Sequence, residues 1–409
     1  MSMKNVYYGW WVVGGGFTLL FFATGTYFYS FPIFYEAILA DMQWSRAETA
    51  AALSISAFVM GLTAPFVAVI IQRMGVRKVM ISSSILSGIA FVLLYTVSVP
   101  WQLYLYFGVI LPVGMAGIQV VSIITVIERW FVKKRGTAIG IVTTGIGAGG
   151  AVLAPTAGVL ISRFGWQTTY LFWALLITVA GVIISSTVMR FPKQGELRSS
   201  ETRVSSLAAE LPMDGATLSM ALKSKAFWLV SFAVMGWAWA QSAGVIHQVA
   251  YAVDIGIDRV AAAGAVGSLT ASSILGRLLF GRLGDIIEKR YVFMMAISLQ
   301  VAAFVVLLMA KNLTMIYVYS ILLGITTGAI LPTVAGLVAD HFGRKYFGVI
   351  YGASFFWLSC GNVIGPMYAG WIFDTTGSYQ LAFIGSAVLS ALAIVLIYLS
   401  GGKPAYRVR

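Results

Sequence analysis

One arginine lies inside an otherwise apolar stretch of the sequence, where a permanent positive charge is costly. Arg277 follows Ser272-Ser273-Ile-Leu-Gly276 and precedes Leu278-Leu279-Phe280. An arginine near the middle of a membrane span costs about 2.5–3.5 kcal/mol, and it stays charged because its pKa exceeds ~12. A cation beside an aqueous cavity attracts anions, and its planar fork matches a carboxylate with two parallel hydrogen bonds. We predict that Arg277 binds an anionic substrate.

Two other roles for Arg277 stay open. The residue lies about two turns before the end of its apolar stretch, so its side chain could extend to the membrane interface. It could also pair with an acid, although no acidic residue falls at mid-depth in any apolar stretch. Anion binding is the preferred interpretation, because the substrate would then neutralise the arginine.

Few groups could carry a proton together with an anion. His247 has a side chain that titrates in the useful range, although a lone histidine is often a passive hydrogen-bonding group. Asp254 lies just past the same apolar stretch, four residues before Asp258. Both acids could instead be solvated loop residues. His247 and Asp254 are the candidates for proton coupling, and His247 is also a candidate substrate contact.

Several further polar side chains are embedded in apolar stretches, where an unsatisfied polar group is costly. Each could face a substrate cavity or bond to a neighbouring helix, and the two roles are equally supported. These residues are Tyr27, Gln119, Gln241, Tyr319 and Asn362. Phe356, six residues before Asn362, could shape the same cavity or simply pack. The candidate substrate contacts besides Arg277 and His247 are Tyr27, Gln119, Phe356 and Asn362.

The composition shows which elements must position these residues. Of the 409 residues, 59% are hydrophobic and 10% are charged, whereas soluble domains carry about 25% charged residues. A helix that crosses the ~30 Å hydrocarbon core needs about 20 apolar residues. Twelve such stretches are predicted, at 9–34, 47–71, 79–98, 101–127, 137–161, 168–190, 226–250, 261–284, 291–310, 314–338, 347–372 and 379–400. We therefore expect an all-α protein in a lipid bilayer, whose first stretch is a retained span rather than a cleaved signal.

The net charge of +13 follows the topology that these spans imply. If both termini are cytoplasmic, most Lys and Arg residues fall on the inner side, among them Arg73, Arg77, Lys78, Lys133, Lys134 and Arg135. The outer loops hold Arg46, Arg163, Arg259 and Lys311. This asymmetry follows the positive-inside rule. It predicts a multi-pass cell-membrane protein with both termini in the cytoplasm, and it explains the basic charge without a nucleic-acid partner.

The two halves of the chain resemble each other at an offset of about 212 residues. Matching pairs include Gly136 with Gly348, Gly140 with Gly352 and Pro155 with Pro366. We predict an N-terminal bundle of six spans at 1–190, a cytoplasmic linker at 191–224 with a short amphipathic segment at 218–222, and a C-terminal bundle of six spans at 225–409. Transporters built from two such repeats bind substrate near the midplane and rock one repeat against the other.

A glycine run in the fifth predicted span, Gly145-Ile-Gly-Ala-Gly-Gly150, superficially resembles a dinucleotide-binding loop. It follows no strand and lies inside an apolar helix, so close helix packing is the preferred interpretation. The sequence offers no metal-ligand cluster, and we expect neither a cofactor nor a metal. Paired catalytic carboxylates and a nucleophile–base set are also missing from any one accessible region, so we do not expect an enzyme.

The repeated loops resemble those of the major facilitator superfamily. After span 2 that family reads Gly-x-x-x-Asp-Arg-x-Gly-x-Arg-Lys, and this chain has Ala68 and Gln72 at the first glycine and the acid but keeps Arg73, Gly75, Arg77 and Lys78. The second copy keeps Gly281, Asp285 and Arg290 and has Glu288 at the middle glycine. The resemblance implies a major facilitator fold of 12 transmembrane helices in two six-helix bundles with pseudo-twofold symmetry. It also implies a cytoplasmic gate at Asp285, Arg73 and Arg77, in which the acid clasps a neighbouring helix end.

Four motifs resemble those of the monocarboxylate porters and of their bacterial relatives, the oxalate/formate antiporters. They are Tyr8-Gly-Trp-Trp-Val-Val13, Arg129-Trp-Phe131, Arg135-Gly136-x-Ala138-x-Gly140 and Gly276-Arg277-x-x-x-Gly281-Arg282-x-x-Asp285. This resemblance implies that Arg277 binds the substrate. Dicarboxylate-handling relatives add a lysine in span 11, where this chain reads Phe355–Pro366 without a base. One fixed positive charge favours one carboxylate, as in lactate or pyruvate.

The resulting expectation is a secondary transporter that carries a small monocarboxylate and a proton together by alternating access, as a monomer in a bacterial inner membrane. Some animal members of the family place a lysine in outer span 1 and an acid one turn before the span-8 arginine. The matching positions here are Tyr29 and Ser273, so the coupling groups differ. Exchange of two organic anions is the alternative. A transporter-like membrane sensor is a third, although no loop is long enough to hold a signalling domain.

Overall fold

Helices make up almost all of the computed structural model, which describes residues 7–44, 46–131, 134–193, 215–257 and 259–401. The chain divides into two units: Met1–Lys133 with Ile141–Asp214, and Lys134–Gly140 with Gly215–Arg409. The predicted bundle boundaries at 190 and 225 stay predictions, because most of the predicted linker, residues 194–214, lies outside the described residues.

The first unit begins with a span whose helix changes geometry midway. Helix α1 (Tyr8–Thr24) continues through a π-helical turn, Gly25–Tyr29, into α2 (Phe31–Met42). Helices α3 (Arg46–Met74) and α4 (Val76–Tyr95) follow. The next span consists of α5 (Pro100–Leu103), a π-helical segment (Tyr104–Ile110), α6 (Leu111–Ala116) and α7 (Val120–Trp130). The sequence predicted one uninterrupted helix over 101–127, whereas the structure breaks it at residues 117–119.

Helix α8 (Arg135–Thr187) contains 53 residues and a break at Gly165, where φ is 79° and ψ is 162°. At about 1.5 Å per residue the whole helix is ~80 Å long, more than twice the ~30 Å hydrocarbon core. Only glycine adopts this φ without strain. The break therefore separates two crossings, which correspond to predicted spans 5 and 6.

The second unit holds the remaining helices. They are α9 (Leu218–Lys223), α10 (Lys225–Asp254), α11 (Arg259–Ile286), α12 (Lys289–Leu308), α13 (Leu313–Phe342), α14 (Phe347–Thr376) and α15 (Gln380–Leu399). Within the described ranges, ten helices are long and apolar enough to cross a membrane. Counting α8 as two crossings and adding α11, which has 28 residues and carries Arg277, gives the twelve that the sequence predicts.

The glycines of α8 explain its packing. A methyl group on Gly145 or Gly149 would collide with the carbonyl oxygens of Phe17 and Phe21, so this stretch of α8 lies directly against the α1 backbone. The run that superficially resembles a dinucleotide loop is thus a helix-packing surface, as close packing of small residues predicts.

The Tyr8-Gly9 motif joins the ends of three helices in the first unit. The Tyr8 hydroxyl donates to the carbonyl of Val188 at 3.1 Å, and the indole Nε1 of Trp130 donates to the carbonyl of Arg190 at 2.7 Å. The Arg190 guanidinium lies 4.0 Å from the centre of the Tyr8 ring, a cation–π contact. A side chain on Gly9 would strike Tyr7 and Phe131. The motif therefore stabilises the bundle end.

Candidate functional site

Arg277 is buried in α11, with 4% of its surface exposed. Its Nη1 donates a 2.6 Å hydrogen bond to the Oγ of Ser273, and that hydroxyl donates onward to the carbonyl of Thr270 at 2.7 Å. Helical side chains lean toward the N-terminus of their helix. The hydrogen bond follows this direction, so the guanidinium extends away from the Ile286 end of α11. The alternative in which Arg277 extends to the interface past that end does not match this geometry.

The α13 backbone lies against α11 at the level of Arg277. A methyl group on Gly276 would collide with the carbonyl of Ile325, and one on Gly328 would meet the carbonyl of Ser273 and lie 2.6 Å from the Arg277 nitrogen. Glycines on both helices thus allow backbone contact. The root of the Arg277 side chain is held rigidly by this packing.

Two polar residues that the sequence placed in apolar helices lie on the faces where α10 and α13 meet. The Gln241 amide Nε2 donates to the Thr327 hydroxyl at 3.3 Å, which joins α10 to the turn next to Gly328. Tyr319 is fully buried, and its hydroxyl occupies the space beside Gly244. Both side chains take part in helix packing.

His247 bridges three helices near one end of the second unit. Its Nε2 lies 3.0 Å from the carbonyl oxygen of Pro366 in α14, and its Nδ1 lies 3.2 Å from the hydroxyl of Tyr379, which precedes α15. A carbonyl only accepts, so Nε2 carries a hydrogen. Nδ1 then accepts from the phenol when the ring is neutral and donates to it when the ring is charged. The site accommodates both protonation states by a rotation of one hydroxyl.

Two acids lie near the tyrosine of this pair. The negative charges of Asp254 and Asp374 act electrostatically on the Tyr379 hydroxyl. Asp254 is the exposed last residue of α10, and Asp374 is exposed near the end of α14. Asp258, the other acid that the sequence pointed to, lies outside the described residues.

The remaining candidates of the second unit lie on α14. Asn362 is half-buried and makes no hydrogen bond with the described part of the chain. Pro366 has no N–H to offer the Asn362 carbonyl, so the helix is weakened at this level. Phe356 is half-buried, and its ring packs edge-on against Trp357 with a centroid distance of 5.6 Å.

The first unit holds Tyr27 and Gln119. The Tyr27 hydroxyl forms a hydrogen bond with the buried hydroxyl of Ser56, and its ring packs 5.5 Å from that of Phe107. Gln119 caps α7 at the break in its span, and its Oε1 accepts a 3.4 Å hydrogen bond from Thr24. Broken helices of this kind line binding sites in many transporters.

Asp285 binds the first turn of α8 within the second unit. Its carboxylate accepts hydrogen bonds from the backbone N–H groups of Gly136 and Thr137, at 2.8 and 2.9 Å, and from the Thr137 hydroxyl at 2.6 Å. An acid at a helix N-terminus satisfies unpaired N–H groups and the helix dipole. Beside it, Asp340 forms ion pairs with Arg135 and with Lys289, the latter at 3.2 Å.

The two arginines assigned to the same gate lie in the first unit. Arg77 is exposed, and its Nε donates to the carbonyl of Met189 at 3.2 Å. Arg73 is exposed in the last turn of α3. Gly75 between them has φ 85°, which explains the glycine in this loop. A gating role for the three residues stays a prediction.

Three functional candidates were missed from the sequence. Ser273 was noted only as an alignment position, and its bond to Arg277 follows the i, i+4 spacing that could have indicated it. No role was predicted for Asp340 from the sequence. Glu128 has 1% of its surface exposed near the end of α7, although the sequence placed it just past its span. Burial at span ends depends on neighbouring helices, which one sequence does not reveal.

The all-helical fold and the internal duplication define a class of membrane transporters. A family model of the major facilitator superfamily matches residues 16–279 and 242–408. The chain belongs to this superfamily, so it is a transporter and not an enzyme, and the predicted fold is confirmed.

Curated relatives confirm the resemblance to the monocarboxylate porters. Mouse monocarboxylate transporter 12 is 24% identical over 400 residues, covering 92% of this chain and 82% of the relative. Human monocarboxylate transporter 2 is 26% identical over 413 residues, covering 95% of this chain and 85% of the relative.

Solved structures share the fold at low identity. The E. coli fucose:proton symporter has a TM-score of 0.73 at 15% identity, covering 95% of this chain and 98% of that one. The human organic anion transporter MFSD10 has a TM-score of 0.74 at 13% identity, covering 95% and 99%.

Proposed function

We propose that the protein carries small monocarboxylates such as L-lactate or pyruvate together with a proton, by alternating access, and that Arg277 binds the carboxylate. The buried guanidinium in the middle part of α11 is the observation that carries this proposal. The names of the curated relatives, which are monocarboxylate transporters, support the substrate class.

Electrostatics favours an anion of single charge. A permanent cation in a low-dielectric region is strongly stabilised by a counter-ion, and the guanidinium fork offers a carboxylate two hydrogen bonds. Helix α14 contains no lysine or arginine between Phe347 and Thr376. A second carboxylate on the substrate would find no matching base on this helix, so lactate and pyruvate fit better than oxalate.

We propose further substrate contacts in each unit. We assign this role to Gln119 at the helix break and to Phe356 and Asn362 on α14, because each is half-buried and the Asn362 amide has donors to offer. The hydroxyl of Tyr27 is bonded to Ser56, which favours packing over substrate contact for that residue.

The coupled proton would bind to the pair formed by His247 and Tyr379. Symport of one proton with one monocarboxylate moves no net charge, so the membrane potential does not oppose uptake. The His247 ring keeps both hydrogen-bond partners in its neutral and charged forms. Asp254 lies close enough to act on Tyr379, so its carboxylate would stabilise a proton on the pair.

The cytoplasmic gate would be the cluster of Asp285, Asp340, Arg135 and Lys289. Its three hydrogen bonds and two ion pairs hold residues 134–140 in the second unit. Opening on the cytoplasmic side would require these bonds to break and later to re-form. Arg73 and Arg77 would belong to the corresponding region of the first unit.

Uptake of radiolabelled L-lactate into proteoliposomes tests the proposal. With an inward proton gradient and no internal anion, we expect accumulation that a protonophore abolishes. Uptake that strictly requires an internal organic anion would replace symport with exchange. Failure to transport any monocarboxylate under either condition would overturn the substrate assignment.

We also place the protein in a bacterial inner membrane, as a monomer with both termini in the cytoplasm. The excess of basic residues in the inner segments supports this orientation. Reporter fusions at the C-terminus would test it: activity of a cytoplasm-dependent reporter is expected, and activity of a periplasm-dependent one would reverse the orientation.

A further inference from the structure

We infer that Ser273 is the positioning residue that holds the Arg277 guanidinium at the depth where substrate binds. This inference rests on the proposed role of Arg277. Ser273 lies at the midpoint of α11, which runs from Arg259 to Ile286. Arg277 lies one turn nearer the Ile286 end, so the hydrogen bond draws its guanidinium toward the middle of the helix.

The hydrogen bonds have a defined direction. The Ser273 hydroxyl donates its single hydrogen to the Thr270 carbonyl, so only its lone pairs face Arg277. It therefore accepts from the guanidinium and cannot compete with it for an anion. Because 3% of Ser273 and 4% of Arg277 is exposed, water does not replace this contact freely.

The packing of α13 fixes the backbone on which both side chains stand. Gly328 lies against the carbonyl of Ser273 and the backbone nitrogen of Arg277. The backbone of this turn is therefore rigid, whereas a long side chain still has several rotatable bonds. An arginine near a span end tends to extend toward the interface. The Ser273 hydrogen bond opposes that tendency and selects the rotamer directed toward the middle of the span.

The neutral hydroxyl also matters electrostatically. A carboxylate at position 273 would form an internal ion pair with Arg277 and compete with the substrate anion. Serine orients the guanidinium and leaves its charge uncompensated by this contact. Ser273 therefore fixes the depth of the guanidinium without placing a negative charge beside it.

Five variants test this inference in proteoliposomes. We expect Ser273→Ala to raise the KM for L-lactate about tenfold or more, the scale of a lost hydrogen bond to a charged group, with little change in kcat. Ser273→Thr keeps the hydroxyl and should restore the KM. Ser272→Ala is the matched control, because the neighbouring Ser272 is equally buried but donates to the Leu269 carbonyl. Its KM should stay unchanged.

The last two variants, Ser273→Asp and Ser273→Asn, provide a readout that a purely structural role would not change. The ionised carboxylate of Ser273→Asp should raise the KM, and protonation at lower pH should restore it, whereas the neutral Ser273→Asn should show no such pH dependence. These comparisons use protein amounts measured by fluorescence-detected size exclusion.

The outcomes separate the inference from the proposed function. An unchanged KM in Ser273→Ala, together with loss of transport in Arg277→Ala, would overturn the role of Ser273 and keep that of Arg277. Normal uptake by Arg277→Ala would overturn both. If Ser273→Ala is not produced in folded form, equal pH profiles of Ser273→Asp and Ser273→Asn would overturn the inference by themselves.

Discussion

The Nε2 atom of His247 lies 3.0 Å from the carbonyl oxygen of Pro366, at the point where α14 contains its proline. The proline lacks the N–H that would bond to the carbonyl of Asn362, one turn earlier in the helix. The histidine thus joins α10 to the weakened part of α14, and its other nitrogen joins both to Tyr379. A change in the charge of the histidine ring would therefore alter hydrogen bonds to α14 and to Tyr379, next to α15, as well as the position of α10.

His247→Ala should abolish the acceleration of lactate uptake by external acid, because no other group described at this site carries a proton between the phenol and the proline carbonyl. Tyr379→Phe is the milder variant, since it keeps the ring that stacks 4.4 Å from Phe373 and removes only the hydroxyl. Initial uptake rates from pH 5 to 8 give the profile. An unchanged pH profile of uptake in His247→Ala would show that the residue serves only in helix packing.

Arg277→Ala should abolish uptake while the protein still inserts and elutes as a single species. Arg277→Lys keeps the charge but loses the planar fork and its two parallel hydrogen bonds, so we expect the KM to rise about tenfold or more. Arg282→Ala is the control, because it removes the same charge from an exposed position of the same helix. Its KM should resemble that of the wild type.

The sequence predicted the spans, and it predicted that Arg277 lies inside one of them, for a simple physical reason. The hydropathy and charge of a stretch are sums over its own residues. A single arginine in an apolar stretch can therefore be recognised without knowing which other helices surround it. The fold also followed from the duplication at 212 residues, since matching halves imply matching bundles. These are properties of one helix or of two repeats taken separately.

The sequence did not predict features that depend on which helices touch. The break at Gly117–Gln119 has no proline. The π-helical turn at Gly25–Tyr29 was not predicted, although Pro32 follows it at the start of α2. Burial of Glu128 and the bond from Asp285 to the start of α8 arise from helices distant in sequence. Such contacts can be identified only from the three-dimensional arrangement. From the sequence alone, a polar residue in an apolar helix could equally face a cavity or bond to a neighbouring helix.

Asp285→Asn should slow transport with little change in the KM. The substitution removes the negative charge that stabilises the start of α8, a loss of about 0.3–1 kcal/mol on the scale of charges at helix ends. The gate would then open more easily on the cytoplasmic side and close less completely. Glu288→Gln is the matched control, since Glu288 pairs only with its neighbour Arg290 among the described residues, at 3.3 Å. Equal kcat values for both variants would contradict a gating role for Asp285.

Tyr27→Phe distinguishes packing from substrate contact in the first unit. Its hydroxyl is buried and bonded to Ser56, so the variant should lose about 1 kcal/mol of stability, the scale of one internal hydrogen bond, and keep the wild-type KM. Melting followed by fluorescence-detected size exclusion measures the first effect, and lactate uptake measures the second.

The double variant with Ser56→Ala makes this test of Tyr27 quantitative. If the two hydroxyls form a hydrogen bond with each other, the double variant should lose less stability than the two single variants added together. Neither hydroxyl is then left without a partner in an apolar region. A raised KM in Tyr27→Phe, with Ser56→Ala at the wild-type value, would instead place the Tyr27 hydroxyl on the substrate. That result would require the side chain to leave Ser56 during the transport cycle, which the π-helical turn Gly25–Tyr29, in which Tyr27 lies, would permit by a local change in helix register.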